Sequence, residues 1–149
     1  MKNFKIIIPV YNDWQSLSKL LNNIDSEIQN INHEISIIVA DDASTFDRQL
    51  EIENLSNINS IKILSMKENK GHARCIAAGL KYIFEKEEFD FVIPMDGDGE
   101  DRPEEIIEFI KSSENAPEQT IVGERVKRSE TFFFKFCYFF HKIITLVFT

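Results

Sequence analysis

The sequence predicts an α/β fold in which a mostly parallel sheet lies between layers of helices. Three observations lead there. FKIIIPV, EISIIVA, SIKIL and FDFVIPM are short runs rich in Ile and Val, with the unbroken apolar character of strands buried on both faces. Segments with helical apolar spacing lie between strands of this kind. Strand and helix alternating along one chain imply parallel pairing through crossover connections.

The elements follow in order. After FKIIIPV, the residues Trp14, Leu17, Leu20, Leu21, Ile24 and Ile28 recur at helical spacing and predict the first helix. EISIIVA is the second strand, NLSNINS a polar loop, and SIKIL the third strand. Ala73, Ala77, Leu80, Ile83 and Phe84 predict a second helix, and FEKEEFD its solvated end. FDFVIPM is the fourth strand. Pro103 suits the first turn of a third helix that runs through Ile106, Ile107 and Ile110, and QTIVG is expected as a fifth strand.

At 149 residues, 43% hydrophobic and 28% charged, the chain can bury the core of one domain. A formal net charge of −8 argues against nonspecific binding to nucleic acid or anionic lipid, since polyanions reward a basic surface. Cys75 and Cys137 lack metal-ligand spacing, and the apolar run of MKNFKIIIPVYND is too short for a signal peptide. Free thiols in the reducing cytosol are expected.

In parallel sheets the ligand sits beyond the carboxyl ends of the strands. Those positions are polar here: Tyr11, Asn12 and Asp13; Asp41, Asp42 and Ser44; Asp96, Asp98 and Glu100; Glu124 and Arg125. The stretch VIPMDGDGEDRPEEI crowds carboxylates that repel one another, so a bound cation or nearby Arg and Lys must offset them. Three familiar loops explain it poorly. A helix-loop-helix calcium site started at Asp96 needs Gly at its sixth position and Glu at its twelfth, where this chain has Asp101 and Ile107. A dinucleotide fold needs G-x-G-x-x-G where PVYNDW stands. A phosphoacceptor receiver places its acidic pair after the first strand, whereas Asp41 and Asp42 follow the second.

The ordered set IIIPVYND, IIVADDAS, NKGHARCIAAGL, FVIPMDGDGEDRPEEI and VGER resembles the family-2 glycosyltransferases, especially the polyprenyl-phosphate enzymes akin to dolichyl-phosphate mannose synthase. The resemblance covers roughly residues 1–128, and the order of the motifs makes it specific. It implies a GT-A (Rossmann-like) three-layer α/β/α sandwich with a mostly parallel central sheet. It also implies a UDP- or GDP-sugar donor, a divalent metal, and inversion at the anomeric carbon. A nucleoside diphosphate is a polyanion, and oxygen ligands in an acidic crevice suit Mg2+ or Mn2+ as the bridge.

By this resemblance Asp98 is the metal ligand, Asp96 faces the ribose or the metal's waters, and Glu100 stands where the lipid-phosphate subgroup has Gln. Pro9, Tyr11, Asp13 and one of Asp41 or Asp42 match positions that hold base and ribose. Gly71 and Arg74 match the turn and helix start beside the nucleotide. Arg125 matches a phosphate contact, and Arg125 or Arg128 would stabilise the leaving diphosphate. Asp98 and Arg125 are thus the candidate catalytic residues. A lipid-phosphate acceptor needs no general base, a sugar hydroxyl does, and these residues offer no convincing base.

Plainer readings stand beside these. Asp42, Ser44 and Asp101 suit helix caps, Arg74 suits an ion pair, and His33, His72 and His141 suit the surface or packing. The tail TFFFKFCYFFHKIITLVFT places Lys135, Tyr138, Lys142, Thr145 and Thr149 on one polar stripe of a helix. The resemblance implies that residues 129–149 form an interface helix, against membrane, partner copy or sheet, with 131–149 as the contact, and basic residues among aromatics suit a membrane interface. The chain stops inside this apolar pattern, as the donor-binding part of a longer enzyme would. The expected function is transfer of a sugar to a polyprenyl phosphate at the cytoplasmic face of the membrane. The alternatives are transfer to a saccharide of a cell-surface polymer and a noncatalytic nucleotide-sugar-binding module.

Overall fold

The structure is a computed structural model and describes residues 1–52, 55–99 and 101–123. Met1–Gln119 form one compact unit. Its elements are β1 (Asn3–Val10), α1 (Trp14–Glu27) with a short 3-10 turn at Ile28–Asn30, β2 (Glu34–Asp41), β3 (Ser60–Ser65), α2 (His72–Lys86), β4 (Phe91–Pro94) and α3 (Glu105–Asn115). The strands form one sheet in the order β3-β2-β1-β4, and every pairing is parallel. β1 runs in register with β2 from Asn3 opposite Glu34 to Val10 opposite Asp41.

β1 and β2 lie between other strands and are covered on both faces, which is why their sequences read as continuous apolar runs. Successive side chains still alternate between two cores. Phe4, Ile6, Ile8 and Val10 join Trp14, Leu17, Leu20, Leu21 and Ile24 of α1 with Ile106 and Ile110 of α3. Ile7, Ile38 and Ala40 face the other way, toward Cys75 and Ile83 of α2. This is the three-layer arrangement.

Two buried charges away from the strand ends, Lys5 and Asp25, need partners. Lys5 of β1 is paired by Glu87, 3.8 Å away, which also takes Lys62. Asp25 of α1 accepts the backbone N–H groups of Asn57 at 2.8 Å and Ile58 at 2.9 Å, so the polar loop before β3 is pinned to the helix. Burial works to raise the Asp25 carboxyl, and the bonds from residues 56–58 outweigh it, leaving it below the usual aspartate value.

Three expectations are corrected. α2 buries Cys75, Gly79 and Ile83, whereas Ala73, Ala77, Leu80 and Phe84 are exposed. The small residues set this face: a Cβ at Gly79 would overlap the end of the Ile7 side chain, so glycine lets the helix sit close against β1 at this point. QTIVG forms no strand, because a strand needs a neighbour for its backbone groups and β4 pairs only with β1 among the described residues. Asp101 caps no helix; its carboxylate accepts the Asp96 N–H, and α3 begins after Glu104 with no side-chain cap bond. Glu100, Arg125, Arg128, Cys137, His141 and the expected helix at 129–149 lie outside the described residues. No helix among the described residues is long and apolar enough to cross a membrane.

Candidate functional site

The strand order reverses direction at β1, with β2 on one side and β4 on the other. The crevice beyond the carboxyl ends of β1 and β4 is therefore the topological switch point, where an open parallel sheet takes its ligand. Three loops meet there.

The first follows β1. Pro9 is buried in the strand, opposite Ala40 of β2, and Tyr11 is half exposed. Asn12 has φ 59°, and its side-chain oxygen accepts the N–H groups of Thr45 at 2.8 Å and Phe46 at 3.0 Å. The β1 and β2 loops are thereby tied together. Asp13 caps α1 by accepting the Ser16 N–H at 3.1 Å. A groove of about 990 Å3 runs beside it, between the start of α1 and residues 45–52.

The second loop follows β2 and carries the acidic pair, both members buried. Asp41 accepts the Ser44 N–H at 2.8 Å and pairs with Arg48 at 3.3 Å. Burial works to raise its carboxyl, but Ser44, Ser65 and Arg48 together hold it below the usual aspartate value. Arg48 also bonds the Ser65 hydroxyl and lies 5.6 Å over the Trp14 ring. Asp42 caps nothing. Its two oxygens accept the N–H groups of Lys70 and Gly71, each at 2.8 Å, and so hold the turn that starts α2. Gly71 has φ +86°, a conformation a side chain resists, and it is the N-cap residue of α2. Arg74 is exposed on the first turn and has no ion pair among the described residues.

The third loop follows β4. Met95 N–H donates to the Ile7 carbonyl at 2.9 Å, which carries the chain across the end of β1. A Cβ at Gly97 would stand 2.9 Å from the Pro9 carbonyl oxygen, so glycine permits the crossing. Gly99 has φ +84°, which makes the loop tight. Asp98 is exposed and Asp96 half buried. The Asp96 N–H donates to Asp101 at 2.8 Å, and its Oδ1 lies 3.2 Å from His72 Nε2 on α2.

Pro9, Gly97 and Asp96 are thus joined to the start of α2, and Asp42 joins the same turn from β2. The sequence did not mark Arg48 or His72. The Arg48 guanidinium beside Asp41 offsets part of the carboxylate repulsion, and the His72 contact with Asp96 depends on two loops that meet only in the fold. Cys75 is no nucleophile: burial first, then the charges of Asp42 and Asp41, push its thiol up to about 11.

Among the described residues no three His, Cys, Asp or Glu side chains converge as a protein cage for a metal ion. Asp96 and Asp98 instead offer carboxylate oxygens at the mouth of a crevice. That donor set fits Mg2+ or Mn2+ held by one or two carboxylates together with the phosphates of a ligand.

The profile of glycosyl transferase family 2 matches residues 5–140. This chain belongs to that family. An undecaprenyl-phosphate 4-deoxy-4-formamido-L-arabinose transferase of Proteus mirabilis is 29% identical over 132 residues, 87% of this chain and 39% of the relative. A dolichol-phosphate mannosyltransferase of Pyrococcus furiosus is 30% identical over 122 residues, 82% of this chain and 33% of the relative. The family-2 chain therefore spans well under half the length of these two curated relatives. The crystal structure of S. aureus TarS 1–349 in complex with UDP-GlcNAc matches with a TM-score of 0.56 and 23% identity, over 85% of this chain and 37% of that one. The shared fold is GT-A.

Proposed function

We propose that this family-2 chain binds a nucleotide-sugar at the switch-point crevice and forms the donor side of an enzyme that transfers the sugar to a polyprenyl phosphate with inversion. One observation carries the donor site. The loop 96–99 is packed over the end of β1 by Gly97 and joined through His72 to the turn that Asp42 holds, so acids and backbone amides border one crevice. Tyr11, Asp13 and the acidic pair border the side suited to base and ribose. The start of α2, with Gly71 and Arg74, offers amide donors and a cation to the diphosphate. Asp98 and Asp96, with Glu100 beside them in sequence, would hold Mg2+ or Mn2+. Bound there, the ion would supply positive charge to the departing diphosphate. Arg125 is assigned a second cation for that charge.

Asp13, Asp41 and Asp42 are engaged in holding loops, so none of these three is poised as a base. A phosphate acceptor arrives as an anion and needs none. That favours the lipid phosphate named in both curated relatives over a saccharide hydroxyl. The test is thermal unfolding with Mn2+ and a panel of UDP- and GDP-sugars, for the native chain and for Asp98→Ala. Stabilisation by one donor that needs Mn2+ and disappears in the variant is expected. No stabilisation by any donor, with the fold intact, would refute the donor site. Incubation with the selected radiolabelled donor and undecaprenyl phosphate should then move label into the organic phase; label appearing only on an added saccharide would reject the lipid acceptor.

A further inference from the structure

We infer that His72 is a positioning residue for Asp96, a latch that holds the acid loop against the start of α2 so that both halves of the donor site keep one geometry. The inference rests on the donor-site reading above and adds to it a residue for which the motifs supply no role.

Three contacts in series support this. Asp42 fixes the backbone of Lys70 and Gly71 at 2.8 Å each. His72 is the next residue, and its Nε2 lies 3.2 Å from Asp96 Oδ1, across 24 positions of sequence. Asp101 fixes the backbone of Asp96 at 2.8 Å. Asp96 is therefore held through its backbone by its own loop and through its side chain by α2. The end of β2, the helix start and the acid loop are linked by two backbone hydrogen-bond anchors and the His72–Asp96 contact between them.

The chemistry requires a donor at this position. A carboxylate that must serve a cation or a ribose with one oxygen is oriented by an N–H on the other, and an imidazole with a proton on Nε2 supplies that N–H. Both side chains are about half exposed, 58% for His72 and 46% for Asp96. A solvated pair of this kind contributes little to folding. Its worth lies in the direction Asp96 points, so losing it should weaken ligand binding and leave stability nearly unchanged.

The experiment measures Mn2+ affinity in the presence of saturating UDP, and separately GDP, for the native chain, His72→Ala, His72→Gln, Asp96→Asn and the His72→Ala/Asp96→Asn double variant. Loss of a hydrogen-bonding partner behind a metal ligand typically weakens binding by about 10–100-fold. We expect His72→Ala to fall in that range with its melting temperature unmoved. His72→Gln, which keeps an N–H at the same reach, should recover most of the affinity. The double variant should be no weaker than Asp96→Asn alone, because His72 acts through that carboxylate.

Affinity of His72→Ala within twofold of the native chain would overturn the inference, as would a glutamine variant as weak as the alanine one or fully additive losses. If the native chain binds no Mn2+ with either nucleotide, the donor-site reading fails and this role fails with it. Native binding that His72→Ala leaves intact removes the latch alone.

Discussion

Replacing Asp42 by Asn tests the scaffold beneath the donor site. Asp42 is 4% exposed, and its two carboxylate oxygens each accept a backbone N–H at 2.8 Å, from Lys70 and from Gly71. A carboxamide has the same shape but keeps only one oxygen, so an NH2 group faces the second N–H. One hydrogen bond to a charged acceptor is lost, about 1.5–3 kcal/mol, and the donors left facing each other cost about 1–3 kcal/mol more. Partial relaxation of the turn brings the expected loss to about 3 kcal/mol, a large share of the ~5–15 kcal/mol that holds a domain folded.

Urea unfolding should show this as a lower midpoint with an unchanged slope, because the exposed surface on unfolding does not change. Amide exchange at Lys70 and Gly71 should accelerate beyond what the lower global stability explains. A loss below about 1 kcal/mol with those two amides still protected would refute the reasoning. Asp42 would then not hold the turn, and the link from β2 to the start of α2 would have to run through other groups.

Two further outcomes follow from the same contacts. Gly97→Ala places a Cβ 2.9 Å from the Pro9 carbonyl, a backbone atom that cannot rotate aside, so the acid loop must shift; calorimetry should show weaker nucleotide binding by a protein that still melts cooperatively, and native affinity would show that the loop does not need its close approach to β1. Glu87 is held below its ordinary value of 4.5, first by the hydrogen bond from Lys62, with burial opposing and the charges of Lys62 and Lys5 assisting. Its folded value lies below its unfolded one, so its stabilisation is present above pH 4.5 and is lost as pH falls through the depressed value. Glu87→Gln should flatten the acid limb of the stability curve below pH 4.5, and an unchanged limb would contradict the pairing with Lys5 and Lys62.

How much was legible in the sequence depended on whether local pattern or loop contact set the structure. β1, β2 and α1 were readable because burial forces their patterns: continuous apolar runs for strands covered on both faces, and a stripe at Trp14, Leu17, Leu21 and Ile24 for a helix covered on one. α2 misled because Cys75 and Gly79 set its buried face by being small, and small residues give a weak apolar signal. The larger Leu80 and Phe84 drew the expected stripe to the wrong side.

At the site, the strand-end positions followed from topology alone. In the acid loop, Gly97 is required by a close backbone and Gly99 by its positive φ, needs that only the folded loop reveals. The contacts Arg48 to Asp41, Asp42 to Gly71 and His72 to Asp96 join residues 7, 29 and 24 positions apart. No spacing rule encodes them: the first depends on how one loop folds back on its own start, the other two on where separate loops come together over the sheet.

The central claim is that carboxylates of the acid loop and the phosphates of a nucleotide hold one divalent ion between them. Mn2+ binding followed by electron paramagnetic resonance, with and without UDP or GDP, tests it most directly. The described residues contain no protein cage, so the account predicts weak binding of Mn2+ alone, marked tightening by one nucleotide, and loss of that tightening in Asp98→Ala. Linkage requires the same factor to appear in the nucleotide's affinity with and without Mn2+. Mn2+ affinity indifferent to both nucleotides, or tightening that survives the loss of Asp98, would contradict the account.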